Sequence, residues 1–152
     1  MKVFLGADHR GFDLKEKLKE WLAAKGYEVH DLGAHRLDPG DDYPDFAYAV
    51  AERVAENPGE HRGVLVCGSG AGMDVAANKV RAVRATTAWD TASAEHVRTN
   101  DDVNVIALAA DWTPPEQARE IVKVFLETPF SGEERHIRRL KKIEEIEEKN
   151  FR

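Results

Sequence analysis

The residues best suited to chemistry lie in one stretch, Gly63 to Lys79. An apolar run, Val64-Leu65-Val66, ends at Cys67, the only cysteine in the chain. The chain then breaks into Gly68, Gly70 and Gly72 around Ser69 and Ala71 before an alanine-rich helical pattern resumes. This order predicts a buried strand, a tight turn and a helix start. Such a turn aims backbone N–H groups outward. With the positive end of the following helix dipole they suit an anion, either a bound phosphate or an oxyanion formed during a reaction. A cysteine beside a helix N-terminus is favoured as its thiolate, a competent base or nucleophile, and adjacent glycine amides can hold an oxyanion. Together they fit proton abstraction alpha to a carbonyl, or acyl transfer. Nucleotide cofactors are disfavoured: the dinucleotide fingerprint needs glycine where Met73 stands, and the P-loop needs Gly-Lys-Ser/Thr.

Further polar groups flank predicted strands. Asp8 and His9 follow an apolar stretch over residues 2–7, at what would be the ligand edge of an open parallel sheet. Cys67 and Ser69 would share that edge. A third group, Asn100-Asp101-Asp102, precedes the apolar run 103–109. His9, His96 and His136 are candidates for acid/base work. Arg135 and Arg139 stand at i and i+4 on a predicted tail helix, where like charges repel unless an anion sits between them. Their forked donors suit a phosphate monoester, although the surrounding glutamates would equally balance a solvated basic face. No H-x-x-x-H or C-x-x-C spacing occurs, so no metal is assigned.

These residues need elements to position them. The patterns predict strands over 2–7, 27–32, 61–67, 83–87 and 103–109, and helices over 12–25, 45–56 and 91–99, after Gly70, and from Pro114. Leu14, Leu18, Trp21 and Leu22 recur at helical spacing, and Gly26 follows where a terminating glycine belongs. Alternating strands and helices predict an α/β protein with a five-stranded parallel sheet covered on both faces. The tail, 133–152, is a charged helix with a thin stripe of Ile137, Leu140, Ile143 and Ile146, suited to packing across a subunit boundary.

Composition sets the outer limits. A chain of 152 residues, 42% hydrophobic and 33% charged, predicts one globular domain over 1–152. Its formal charge of −6 argues against nucleic acid, which wants a net basic face, and no apolar run approaches the roughly 20 residues of a membrane span. One cysteine makes no internal disulfide. The N-terminal apolar stretch is too short for a signal peptide, and a cytoplasmic protein is expected.

Four blocks together carry a resemblance. Gly6-Ala7-Asp8-His9-Arg10-Gly11-Phe12, Asp42-Tyr43-Pro44, the stretch from Cys67 to Lys79, and Arg135-His136 with Arg139 resemble the ribose-5-phosphate isomerase B family, which includes galactose-6-phosphate isomerase subunits. The resemblance runs through nearly the whole chain. It implies a Rossmann-like three-layer sandwich with an extra C-terminal helix, and an aldose–ketose isomerase that uses no metal or cofactor. The substrate would be a sugar phosphate passing through an enediolate, and the assembly a homodimer or a tetramer with sites shared between subunits. Carried over by position, Cys67 would move the proton between C1 and C2, the amides from Gly68 through Gly70, Ala71 and Gly72 would hold the enediolate oxygens, and Ser69 would assist. Asp8 and His9 would contact the sugar and its ring oxygen, and Tyr43 and Asn78 would line the substrate site. Arg135, His136 and Arg139 would bind the phosphate.

The departures from the family pattern are informative. The family has His-Asn-Asp-x-Asn before the fifth strand, its histidine opening the sugar ring, where this chain reads Asn100-Asp101-Asp102-Val103-Asn104. Ring opening would then fall to His96, His9 or water. The family's phosphate-binding arginine after that strand is replaced by Asp111, so aspartates at 101 and 111 predict weaker phosphate contact and hydrogen bonds to sugar hydroxyls instead. Trp89 and Ala92 also depart. The leading expectation is an isomerase with ribose 5-phosphate as the default substrate. The alternatives are an isomerase of another or unphosphorylated sugar, and a non-catalytic sugar-phosphate binder, which would not need the thiol. A cysteine hydrolase lacks a paired histidine and orienting acid.

Overall fold

The computed structural model describes residues 1–151, and Arg152, the end of the expected tail helix, lies outside the described residues. In chain order the elements are β1 (Lys2–Ala7), α1 (Phe12–Ala24), β2 (Glu28–Asp31), α2 (Tyr43–Ala55), β3 (Arg62–Cys67) and α3 (Ala71–Ala77). They continue with β4 (Ala85–Thr87), α4 (Thr91–Asp101), β5 (Val105–Ala109), α5 (Pro115–Glu127) and α6 (Glu134–Asn150). The five strands form one parallel sheet in the order β2-β1-β3-β5-β4. A Rossmann-like α/β fold is the result.

Strand side chains alternate between two apolar layers. On one face Val3, Leu5, Val64, Val66, Ile106 and Leu108 meet Leu14, Leu18 and Leu22 of α1 and Ile121, Val122 and Phe125 of α5. On the other, Phe4, Leu65, Cys67, Val105 and Ala107 meet Val50, Ala51 and Val54 of α2 and Met73 and Ala77 of α3. Gly63 lets α2 approach, since a Cβ there would stand 2.8 Å from Val50.

Several boundaries differ from the sequence expectation for visible reasons. Helix α2 starts at Tyr43 rather than Asp45 because Pro44, which has no N–H to lose, fits its first turn. Strand β4 begins at Ala85 rather than Val83: Ala82 takes φ 66°, and the Arg84 N–H goes to the Asn104 side chain at 2.9 Å. Helix α4 runs through Asn100 and Asp101 and stops at Asp102, whose φ is 46° and whose N–H returns to Val97. Val103 also gives its N–H to Val97, at 3.2 Å, so β5 starts only at Val105.

Candidate active site

The sheet order reverses between β1 and β3. From β1 the chain turns onto the α1 face, and from β3 onto the opposite, α3 face, which opens a crevice at the carboxyl ends of these strands. Two turns fill it. Asp8 donates its N–H to Val66 O at 3.3 Å, and a Cβ on Gly11 would lie 2.2 Å from that same oxygen. The Asp8–Gly11 turn is therefore seated directly on the end of β3. Asp8 itself is buried, and its Oδ1 accepts the N–H groups of Arg10 and Gly11 at 3.0 and 3.1 Å, which shapes the turn.

Cys67 is also buried, and its Sγ accepts the Gly70 N–H at 3.1 Å. Gly70 holds φ +80° at the start of α3, a left-handed conformation that glycine adopts without strain. The helix has only seven residues, so the nearby donors are turn amides more than a long helix dipole. Each glycine of the turn lies under a different side chain. A Cβ on Gly68 would stand 2.3 Å from Arg10 Cζ, one on Gly70 3.0 Å from Thr87 Oγ1, and one on Gly72 2.7 Å from the Tyr43 ring. The amide floor is thus walled by a cation, a hydroxyl and a phenol. Ser69 is half-buried and follows Gly68 on this floor, and Ala71 is exposed beside it.

Three contacts set the electrostatics of the walls. Arg10 Nη2 donates to Asp111 Oδ2, joining the turn after β1 to the loop after β5. Asp111 therefore does not face the crevice as a bare charge: the repulsion expected from its sequence position is answered by Arg10, which places a guanidinium over Gly68. Thr87 Oγ1 donates to Asp74 Oδ2 at 2.5 Å; burial pushes the Asp74 carboxyl above its ordinary range, against the Thr87 hydrogen bonds. His9 gives its backbone N–H to Asp41 Oδ1 at 2.9 Å and brings ring Nδ1 to 2.7 Å from the same oxygen. Beside Asp111, the exposed Trp89 and Trp112 rings pack with centroids 5.9 Å apart.

Within this chain the remaining sequence candidates lie away from this crevice. Asn78 uses both atoms of its amide on the Ala85 backbone, at 2.8 Å each, tying the end of α3 to the start of β4. Asn100 and Asp101 end α4, next to the amino ends of β4 and β5. His96 is exposed, and both its ring nitrogens stand 3.4 Å from Asn100 Nδ2. Arg135 is exposed and pairs with Glu133, Arg139 is exposed, and His136 is buried with Nδ1 2.7 Å from Ser131 Oγ. Sequence reasoning passed over Arg10, Asp41, Asp74 and Thr87 as site residues. Only Arg10 and Thr87 carried a signal, each standing at the carboxyl end of a predicted strand.

An open parallel sheet with a thiol on a cradle of glycine amides at its switch point defines a class of small-molecule site on a Rossmann-like fold. The family Ribose/Galactose Isomerase matches residues 3–143. Ribose-5-phosphate isomerase B of Mycobacterium tuberculosis is 40% identical over 147 residues, covering 97% of this chain and 90% of that protein. A crystal structure of ribose-5-phosphate isomerase B from Mycoplasma genitalium with bound ribulose 5-phosphate superposes with a TM-score of 0.95 at 38% identity, covering 98% of this chain and 97% of that one. A type B ribose 5-phosphate isomerase from Trypanosoma cruzi does so with a TM-score of 0.92 at 42% identity, covering 99% and 100%. The chain belongs to the ribose/galactose isomerase family, and it is an isomerase.

Proposed function

We propose that this protein interconverts an aldose phosphate and its ketose, with ribose 5-phosphate and ribulose 5-phosphate as the first pair to test. The observation that carries the reading is the Cys67 sulfur, held by the Gly70 N–H at the β1/β3 crevice of a fold whose Mycoplasma genitalium relative binds ribulose 5-phosphate. In this reading the Cys67 thiolate takes the C2 proton of the open-chain aldose. The C2 electron pair forms the C1=C2 double bond of a cis-enediolate as the C1=O1 pair passes to O1. The O2 proton moves to O1, and closure of the C2=O2 carbonyl lets C1 take a proton back from the Cys67 thiol, which exchanges with solvent. Backbone amides of the Gly68–Gly72 turn other than that of Gly70, which is given to the sulfur, stabilise the charge developing on O1 and O2, with the Ser69 hydroxyl as a further donor, Tyr43 as a wall and Asp8 holding the turn. Ring-bearing substrates also need an acid to open them.

The reading extends to assembly. Arg135, His136 and Arg139 lie away from the crevice of their own protomer, and Ile137, Ile143 and Ile146 of α6 are 39%, 41% and 60% exposed. A homodimer would cover that stripe and could bring α6 of one subunit toward the crevice of the other. The test of the chemistry is Cys67→Ala assayed by isomerisation and by deuterium exchange at C1 of ribulose 5-phosphate in heavy water. General-base catalysis contributes about 10²–10⁴-fold, so turnover and exchange should both fall by about that factor with an unchanged circular dichroism spectrum. Near-wild-type turnover in the variant removes Cys67 as the base, and an unmodified protein inert toward every pentose and hexose, phosphorylated or not, leaves only a binding role.

A further inference from the structure

His9 and Asp41 form a dyad at the edge of the same crevice. Asp41 comes from the loop before α2, 32 positions along the chain from His9, and its side chain is only 9% exposed against 31% for His9. One oxygen, Oδ1, takes both the backbone N–H and the ring Nδ1 of His9. The other, Oδ2, is buried with no hydrogen-bond partner. A buried carboxylate with an unsatisfied oxygen is costly unless a cation stands against it, and His9, when protonated, supplies one at 2.7 Å. With Nδ1 committed to Asp41, the tautomer and ring orientation are set, and Nε2 is left as the free proton-bearing atom. The next residue, Arg10, reaches over Gly68, so this dyad sits on the turn that walls the Cys67 site. His96 and Asn100, by contrast, lie on α4, whose end stands beside the amino end of β4.

We propose that His9 is the acid that opens the cyclic form of the sugar and that Asp41 is the positioning residue that orients it and keeps it protonated. The proposal rests on the isomerase reading above. In the step, the C1–O4 bond of the furanose breaks, its electron pair passes to O4, and O4 takes the proton from His9 Nε2. The anomeric hydroxyl gives its proton to water as C1=O forms, and solvent reprotonates His9. The groups facing His9 agree with this role. The Asp41 hydrogen bond raises its pKa most, partial burial opposes it, and the charges of Asp8 and Asp41 raise it further against Arg10. Around Asp41 stand His35, Arg36 and Asp38, which line one cavity with it.

Ribulose 5-phosphate cannot close a ring through its esterified O5, so exchange at its C1 needs Cys67 but no ring opening. Wild type, Asp41→Asn, Asp41→Glu, His9→Gln and His96→Ala are compared in two assays: turnover of ribose 5-phosphate, and C1 deuterium exchange of ribulose 5-phosphate. Asparagine keeps an acceptor for the His9 N–H and removes only the charge. Asp41→Asn and His9→Gln should lower aldose turnover about tenfold or more beyond any loss in exchange, a modest part of what a general acid supplies. Aldose turnover in wild type should fall as pH rises through the raised His9 pKa, that limb should move to lower pH in Asp41→Asn, and Asp41→Glu should restore it in part. Equal losses in both assays, an unmoved pH limb, or the tenfold split appearing in His96→Ala instead would overturn the assignment. Wild type inactive in both assays sinks the isomerase reading and this proposal with it; wild type active in both, with Asp41→Asn identical to it, sinks this proposal alone.

Discussion

The guanidinium of Arg10 lies against the backbone of Gly68 and is held from the far side by Asp111. Both partners are partly exposed, at 54% and 33%, so the pair contributes little to stability, in the range of about 0–1 kcal/mol. Its importance is positional. An arginine tethered by one carboxylate keeps its other N–H groups for an anion above the glycine floor. By charge alone, removing Asp111 would ease the approach of a phosphate. The geometry predicts the reverse: Asp111→Ala should free the Arg10 side chain and raise KM for a sugar phosphate by a few-fold, about the factor that corresponds to 1 kcal/mol, with little change for an unphosphorylated sugar. Steady-state kinetics on both substrates checks this, and a lower KM for the phosphate would restore the repulsion argument.

At the scale of elements, the first βα unit is fastened by charge as well as by its apolar face. Lys15 of α1 is fully buried, and its Nζ donates to both oxygens of Asp31 at the end of β2, at 2.8 and 2.9 Å, and to Ala34 O at 2.6 Å. Lys19 adds a second cation at 2.8 Å. Burial alone would raise the Asp31 pKa, but the two lysines and the Gly33 N–H outweigh it and hold the group at about 2. Because that is below the unfolded value of 3.8, the stability Asp31 contributes is complete above the unfolded pKa and is lost as pH falls through the folded one. Asp31→Asn leaves the buried Lys15 with Glu16, at 3.0 Å, as its one carboxylate and should cost up to about 3 kcal/mol at neutral pH, with the acid limb between pH 4 and 2 flattened. Urea denaturation across that range measures both.

Helical spacing in α1 and the breaker residues around each strand made this layer readable in advance, because apolar periodicity and glycine placement are local signals. The Cys67 turn was readable for the same reason. What was not legible depends on pairs distant in sequence: Asp41 with His9, Arg10 with Asp111, and Asp74 with Thr87. Each joins a residue of one loop or helix to another element, and no local pattern records that meeting. Asn78 shows the converse, since its place in a recognisable motif suggested the substrate site while its amide secures β4. The short β4 and the extended α4 likewise follow from side-chain and backbone partners, Asn104 and Val97, that strand propensity does not register.

For the molecule as a whole, α6 is the least absorbed element. Leu140 and His136 are its buried residues, while Ile143 and Ile146 only edge a groove with Val83 and Val103. If a second copy covers that stripe, Ile146→Glu should shift the protein toward monomer in sedimentation equilibrium while leaving the monomer's fold intact, and activity should fall with dilution through the new dissociation constant. A variant that sediments as wild type does would place the subunit contact elsewhere.

The sulfur at the end of β3 offers one more use. It is the chain's sole cysteine and is 5% exposed, pinned where two segments far apart in sequence close on each other. A small neutral alkylating reagent can reach it only when that closure loosens, so its labelling rate against that of an unstructured thiol reads the free energy of local opening at the heart of the crevice. The native protein thus carries its own clock for the breathing of this crevice, with no introduced probe, and a ligand that seats on the glycine floor should slow that clock in proportion to its occupancy.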